Sequence, residues 1–90
     1  MAVGWIGETP GMTQEQYERM RSVVMRSGPP EGMLCHIAGP TERGWRVITV
    51  WESEEAAARF LKEKLAPAAQ EAGITLLQPQ RFEVYNFIAP

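Results

Sequence analysis

Two stretches of the chain repeat their apolar residues with the period of an α-helix. The first carries them at i, i+3 and i+7: Tyr17, Met20 and Val24. Thr13 precedes this stripe as an N-cap, and Gln16, three residues further on, completes a capping box. The pattern predicts a helix that runs to about Ser27, where the glycine and prolines at 28–30 stop it.

The second helical stretch follows Ser53, which we expect to cap it. Glu54 and Glu55 occupy its first turn, where negative charge is favoured by the helix dipole. Its apolar stripe comprises Ala57, Phe60, Leu61, Leu65 and Ala68. Pro67 is expected to kink the helix or start a fresh turn, and Gly73 is expected to end it.

Four other stretches have the composition of β-strands. They are Ala2–Glu8, Met33–Ala38, Gly44–Glu52 and Arg81–Ile88. The middle two are joined by the loop Gly39–Gly44 and read as a hairpin. The element order is therefore βαββαβ, which predicts one ferredoxin-like α+β domain over residues 1–90: a four-stranded antiparallel sheet with two helices on one face.

The face of the sheet opposite the helices has nothing in this chain to cover it. Apolar residues predicted there are Ile48, Val50, Phe82, Val84 and Ile88. A monomer rarely leaves so large an apolar patch in water, and a chain of 90 residues needs some means of stabilisation beyond its own core. We therefore predict a homodimer that packs sheet on sheet.

Composition and charge exclude several classes of function. Nine basic against eleven acidic residues give a net charge of −2, which argues against a nucleic-acid partner. Cys35 and His36 are the single cysteine and histidine, so the sequence predicts neither an internal disulfide nor a metal site. We expect no signal peptide and no membrane span, and the lone thiol favours a location in the cytoplasm.

Three segments carry a resemblance to a known group: 32–40, 44–47 and 50–56. They resemble the dimeric α+β barrel superfamily, which includes antibiotic-biosynthesis monooxygenases, haem-degrading monooxygenases and small muconolactone-type isomerases. The similarity is strongest to short bacterial members without an assigned reaction. In the monooxygenase branch the resemblance implies that Trp51 faces a cavity between sheet and helices. The first strand, with Gly4, Trp5 and Gly7, lacks the asparagine typical of that branch, and the second helix lacks the histidine of the haem-degrading group.

His36 is the strongest candidate for catalysis. Alternation along the third strand places Trp45, Val47, Thr49 and Trp51 on one face. A six-residue hairpin loop would set His36 opposite Val47 on that same face, whereas a slip of one residue would move it to the other. With a pKa near 6.5, an imidazole there could transfer protons at neutral pH. The alternative is a structural histidine bonded to the backbone or to Thr49.

We also predict a set of substrate-binding residues around His36: Trp51, Trp45, Tyr17, Thr49 and Asn86. For Trp45 core packing is the alternative, and for Tyr17 a place in the core or at the rim. Asn86 and Tyr85 alternate on the last strand, so at most one of them would face the cavity.

The sequence thus predicts a small-molecule enzyme that uses no metal or organic cofactor. Its substrate would be apolar, aromatic or polyketide-like, and it would act by proton transfer, as an isomerase or cyclase does, or by monooxygenation. The alternative is a non-catalytic dimeric protein that binds a ligand or has a stress-related role. In that protein His36 would be structural.

Overall fold

The computed structural model describes residues 1–88, and the strands and helices follow one another in the predicted order. They are β1 (Val3–Pro10), α1 (Gln14–Val24), β2 (Met33–Pro40), β3 (Gly44–Trp51), α2 (Glu54–Phe60), α3 (Ala66–Ala72) and β4 (Gln80–Glu83). A 3₁₀ turn (Met25–Ser27) extends α1, and a π-helical turn (Leu61–Leu65) joins α2 to α3. The predicted domain 1–90 extends two residues beyond the described chain.

The four strands form one antiparallel sheet in the order β2-β3-β1-β4. Residues from one face of this sheet pack with the helices in two clusters, one around Trp51 and Ala57, the other around Trp45 and Met20. The predicted ferredoxin-like α+β fold, with its helices on one face of the sheet, is confirmed.

The capping box at the start of α1 forms as predicted. The backbone N–H of Gln16 donates to Thr13 Oγ1 at 3.2 Å, and the backbone N–H of Thr13 donates to Gln16 Oε1 at 2.9 Å. These bonds satisfy two backbone groups that the first turn would otherwise leave open. The box fixes where α1 begins, and therefore which of its residues face the sheet.

Pro67 changes the second helix in the way that its missing N–H requires. The helix neither breaks nor continues as a regular α-helix, because Leu61–Leu65 adopts π geometry and Pro67 falls in the first turn of α3. The N–H of Ala66 donates to the carbonyl of Leu61, five residues back. The widened turn accommodates the proline ring.

The β2–β3 hairpin has a shorter loop than predicted. Pro40 pairs with Trp45, and residues 41–43 alone lie between the two strands. His36 therefore lies opposite Thr49, not opposite Val47. A shift of two residues preserves the face on which a side chain lies, so His36 still faces the helices.

The last strand is shorter than the predicted Arg81–Ile88. It ends at Glu83, opposite Val3, and the N–H of Val84 makes one further bond to the carbonyl of Ala2. At that point the partner strand runs out, because β1 begins at Val3. Ile88 is therefore exposed and lies outside the strand.

The face of the sheet opposite the helices, here called the open face, is apolar, as predicted. The residues that form it differ in part from those predicted. Residues paired directly across the strands there include Ile37, Ile48 and Ile6 in one row and Cys35, Val50, Gly4 and Phe82 in the next. Ile37 is 58% exposed and Phe82 47%. Val50, in contrast, is buried within the single chain.

Gly44 holds a position that no other residue fits without a backbone shift. A Cβ there would come within 2.2 Å of the carbonyl oxygen of Thr9 and 2.6 Å of the nitrogen of Gly11. We expect Gly44→Ala to lower the free energy of unfolding by about 1–3 kcal/mol, the usual cost of overpacking. Gly39→Ala is the matched control, because a Cβ at Gly39 meets nothing within 4 Å. Urea denaturation of both variants tests this, and equal midpoints would contradict it.

Candidate active site

A cavity of about 350 Å³ lies between the sheet and the helices. Its volume falls within the range of small-molecule binding pockets. Most of its wall is apolar and includes Trp5, Met20, Val24, Val47, Phe60 and Leu65. The polar or charged members of the wall are Glu8, Thr9, Tyr17, Arg21, His36 and Thr49. Such a site would bind an apolar molecule and orient it with a few polar contacts.

A hydrogen-bonded pair of titratable side chains forms one side of this cavity. The Tyr17 hydroxyl lies 2.7 Å from His36 Nε2. Tyr17 reaches this position from the inner stripe of α1, and His36 projects from the middle of edge strand β2. Trp45 stacks on the Tyr17 ring with 5.1 Å between the ring centroids, and so limits its movement. The fold thus brings together two residues that are 19 positions apart in the chain.

Electrostatics keep both members of the pair neutral near pH 7. Partial burial lowers the pKa of His36 below 6.5, and the positive charge of Arg21 lowers it further. Burial raises the pKa of Tyr17 above 10, an effect that Arg21 opposes and Glu18 reinforces. A neutral imidazole accepts a proton, and a protonated phenol donates one. In this pair the Tyr17 hydroxyl is therefore the donor, and Nε2 of His36 is the acceptor.

Thr49 lies on the cavity wall, on the face that its position in β3 predicts, and it pairs with His36 on the neighbouring strand. Its hydroxyl oxygen accepts a hydrogen bond of 2.8 Å from Trp51 Nε1. That bond directs the hydroxyl's own hydrogen away from Trp51. Thr49 thereby adds a polar contact beside the Tyr17–His36 pair.

Trp51 itself does not line the cavity, contrary to the expectation from the resemblance. It is completely buried and packs on Phe60 with 4.9 Å between ring centroids. The small residues Ala56 and Ala57 of α2 allow the helix to approach closely and cover the indole. Its contribution to the site is indirect, through the bond to Thr49.

Two other predicted binding residues also lie off the cavity wall. Trp45 is buried behind Tyr17, which separates it from the void. Asn86 is exposed and lies beyond the end of β4, so it has no strand to orient it toward the helices. Among the predicted residues, the structure brings Tyr17, His36 and Thr49 together at the cavity.

Several cavity residues lie outside the set that the sequence predicts. Trp5 lines the wall from β1, where it pairs with Thr49, and period-2 alternation around Gly7 was a signal for it. Arg21 follows Tyr17 by one helical turn, but Glu18 and Arg19 beside it give this part of the sequence the pattern of a solvated helix face. Leu76, Leu77 and Pro79 come from the segment before β4, which has no periodicity to reveal them.

Other kinds of site find no support within residues 1–88. The described His, Cys and Glu residues form no group of three that could hold a metal ion. Each helix in this part of the chain is too short or too polar to cross a membrane. The carboxylate of Glu8 forms an ion pair with Arg46 on the face of the sheet opposite the helices.

Solved structures with the same fold cover nearly the whole chain. A protein from Chloroflexus aurantiacus named as an antibiotic biosynthesis monooxygenase superposes with a TM-score of 0.72 at 14% identity, over 99% of this chain and 98% of that one. SnoaB, a cofactor-independent oxygenase from Streptomyces nogalater, gives 0.64 at 16% identity over 99% and 98%. A similarly named monooxygenase from Deinococcus radiodurans gives 0.60 at 16% identity over 100% and 98%.

Comparison of the sequence alone identifies no relative. No protein-family model matches the chain, and no curated protein does. At such low identities the structural likeness establishes the fold and leaves the reaction open. The chain has the ferredoxin-like fold of antibiotic biosynthesis monooxygenase-like proteins, the group that its sequence resembles.

Proposed function

We propose that the protein is a small-molecule enzyme that removes a proton from a flat, apolar aromatic substrate, with no metal or organic cofactor. The observation that carries this proposal is the 2.7 Å contact between the Tyr17 hydroxyl and His36 Nε2 on the wall of an apolar cavity. A proton acceptor within reach of a bound substrate is the minimum requirement for general base catalysis.

The pair would act as a relay. The Tyr17 oxygen accepts a proton from an acidic O–H or C–H of the substrate while the tyrosine's own proton passes to Nε2 of His36. The products of this step are a substrate anion and an imidazolium. The apolar wall favours a substrate whose negative charge is spread over an aromatic system, since a localised charge would lose its hydration at greater cost.

We infer that the anion then reacts with dioxygen. It would add O₂ to form a peroxide on carbon and take the proton back from His36 on the distal oxygen. Loss of water, which removes that OH together with the remaining hydrogen of the same carbon, would leave a carbonyl group. One oxygen atom enters the product and the other leaves as water, with all electrons supplied by the substrate. The fold shared with SnoaB, a cofactor-independent oxygenase, supports this outcome. Return of the proton to another carbon, giving an isomer, would need the same pair and no oxygen.

We also propose that the working form is a homodimer in the cytoplasm. The uncovered apolar face, with Ile37 and Phe82 about half exposed, supports a partner that offers the same surface. A second copy supplies a matching apolar face by two-fold symmetry, and burial of the two faces against each other removes their apolar surface from water. The single thiol of Cys35 suits a reducing compartment.

The pH dependence of turnover tests the proposed base. With fused-ring phenols and enolisable aromatic ketones as substrates, we expect kcat/KM to be constant around neutral pH. It should fall about tenfold per pH unit below the lowered pKa of His36, where the imidazole binds a proton and stops accepting one. Oxygen uptake matched to product formation would support oxygenation, and turnover without oxygen would support isomerisation.

A variant with a blocked cavity provides the control. Gly7 lies on the cavity wall, and a Cβ there would meet only the Val47 carbonyl oxygen, at an ordinary 3.9 Å. Gly7→Phe should therefore fold and fill the cavity.

Two outcomes would contradict the proposal. If the native protein binds the phenols and ketones without converting them, it is a ligand-binding protein. Equal turnover by Gly7→Phe would place the reaction outside the cavity.

A further inference from the structure

Arg21 occupies a position on α1 that amphipathic periodicity would assign to an apolar residue. The face of α1 toward the cavity consists of Tyr17, Met20, Arg21 and Val24, at i, i+3, i+4 and i+7. The side chain of Arg21 is 60% exposed, so its stem lies along the wall while its guanidinium group lies where the cavity meets solvent.

The charge of Arg21 is only weakly compensated. Among the described residues its one ion pair is with Glu18, at 3.6 Å between Nη1 and Oε2, and both side chains are more than half exposed. Pairs of this kind contribute little. Arg19, on the same helix, has a closer partner in Glu15 at 3.0 Å. A guanidinium has five N–H donors in a planar fork, and Glu18 engages one side of it.

Within the described cavity wall, Arg21 is the one cationic side chain, because His36 is neutral near pH 7. Glu8 borders the cavity from β1, but alternation along the strand directs its carboxylate to the opposite face of the sheet, where it pairs with Arg46. The charge of Arg21 also influences both Tyr17 and His36, which places it near the reactive pair. A negative group bound by Arg21 would thus lie about one helical turn, roughly 5 Å, from the Tyr17 position.

We propose that the natural ligand of the cavity is an aromatic acid whose fixed anionic group is bound by Arg21. This inference rests on the proposed function in one respect, that the cavity is a ligand site. Bidentate hydrogen bonding of a carboxylate or sulfonate to the guanidinium would fix the orientation of the ring system. The reacting hydrogen would then be held against the Tyr17 hydroxyl.

Two fluorescent probes that differ by one anionic group test the inference. Anilinonaphthalene sulfonate carries a fixed negative charge, and N-phenyl-naphthylamine has the same ring skeleton without it. We expect Arg21→Gln to weaken binding of the sulfonate about 5–20-fold and to leave the neutral probe within about twofold, since a charge-assisted hydrogen bond at a partly exposed site is lost. Arg21→Lys should give an intermediate loss, because it keeps the charge and loses the fork.

Arg19→Gln is the matched control, since it removes a cation from the same helix outside the cavity wall. It should leave the ratio of the two affinities unchanged. If Arg21→Gln and Arg19→Gln affect the sulfonate equally, the inference is wrong while the cavity still stands as a site. If Gly7→Phe leaves binding of both probes unchanged, the cavity is not their site, and the proposed function fails together with this inference.

Discussion

Replacement of His36 by alanine should lower kcat/KM by about 10²–10⁴-fold, the usual contribution of a general base. The variant should remain folded, because His36 is partly exposed and its side chain bonds to the Tyr17 hydroxyl. Substitutions at such positions usually change the free energy of unfolding by no more than about 0.5 kcal/mol. Steady-state kinetics and a thermal melt on the same preparation measure the two effects separately.

Tyr17→Phe distinguishes a relay from direct proton abstraction by His36. It removes the hydroxyl and preserves the ring that stacks on Trp45. In a relay this variant should lose as much activity as His36→Ala, and the double variant should lose little more, because the two residues act as one unit. If Tyr17→Phe keeps nearly full activity, His36 accepts the proton directly.

His36→Gln provides the structural comparison, since an amide can keep a hydrogen bond to Tyr17 without titrating near neutral pH. Should both His36 variants retain full activity, the residue is structural. The same conclusion would follow if both lost activity only in proportion to the loss of folded protein. In either case the enzyme would have no base among the residues that the cavity presents.

Ile37→Asp should dissociate the proposed dimer without unfolding the subunit. Ile37 lies on edge strand β2, pairs with Ile48, and is 58% exposed, so a carboxylate there stays hydrated in the monomer. In a sheet-on-sheet dimer it would be buried twice by symmetry, at a cost of several kcal/mol per group. We expect a dissociation constant at least about 10³-fold weaker than that of the native protein.

Sedimentation equilibrium at micromolar concentration measures this effect. The native protein should have about twice the 10.1 kDa mass of the chain, and Ile37→Asp should have the mass of one chain. Ile37→Val, which keeps the apolar surface, should remain dimeric. A native protein that sediments as a monomer would overturn the proposed assembly, and a dimeric Ile37→Asp would place the interface on another surface.

Val50 on the same face illustrates why the choice of residue matters. It is 7% exposed in the single chain, so Val50→Asp would bury a carboxylate whether or not a partner is present. That variant is expected to unfold the subunit, and its loss of dimer would say nothing about the interface. The comparison of Ile37→Asp with Val50→Asp separates association from folding.

Local rules were sufficient wherever neighbours in the chain decide the structure. Thr13 and Gln16 form the predicted capping box because its bonds join residues three apart. The face occupied by Trp45, Val47 and Thr49 follows from the alternation of side chains along any strand. The element order and the apolar open face were predictable for the same reason.

The register and the ends of strands depended on partners that lie far along the sequence. Gly39 and Pro40 have turn propensity, yet they extend β2, because an edge strand tolerates a proline that cannot donate to a neighbour. Residues 84–88 have strand propensity, yet β4 stops where β1 has no more residues to pair with. Strand and turn propensities alone therefore predict neither where β2 ends nor where β4 ends.

The sequence by itself determined, through the period of 3.6 on one helix, that Tyr17 faces the sheet, but it left open which face of its strand His36 occupies, because that depends on the hairpin register. Only the tertiary structure decided that they meet at 2.7 Å, that Trp5 lines the cavity, and that Trp51 lies in the core. Trp5 and Trp51 share a face of the sheet, and which of them borders the void depends on where α2 packs. That position is set by contacts of Ala56, Ala57 and Phe60 with residues distant in the chain, which no local pattern specifies.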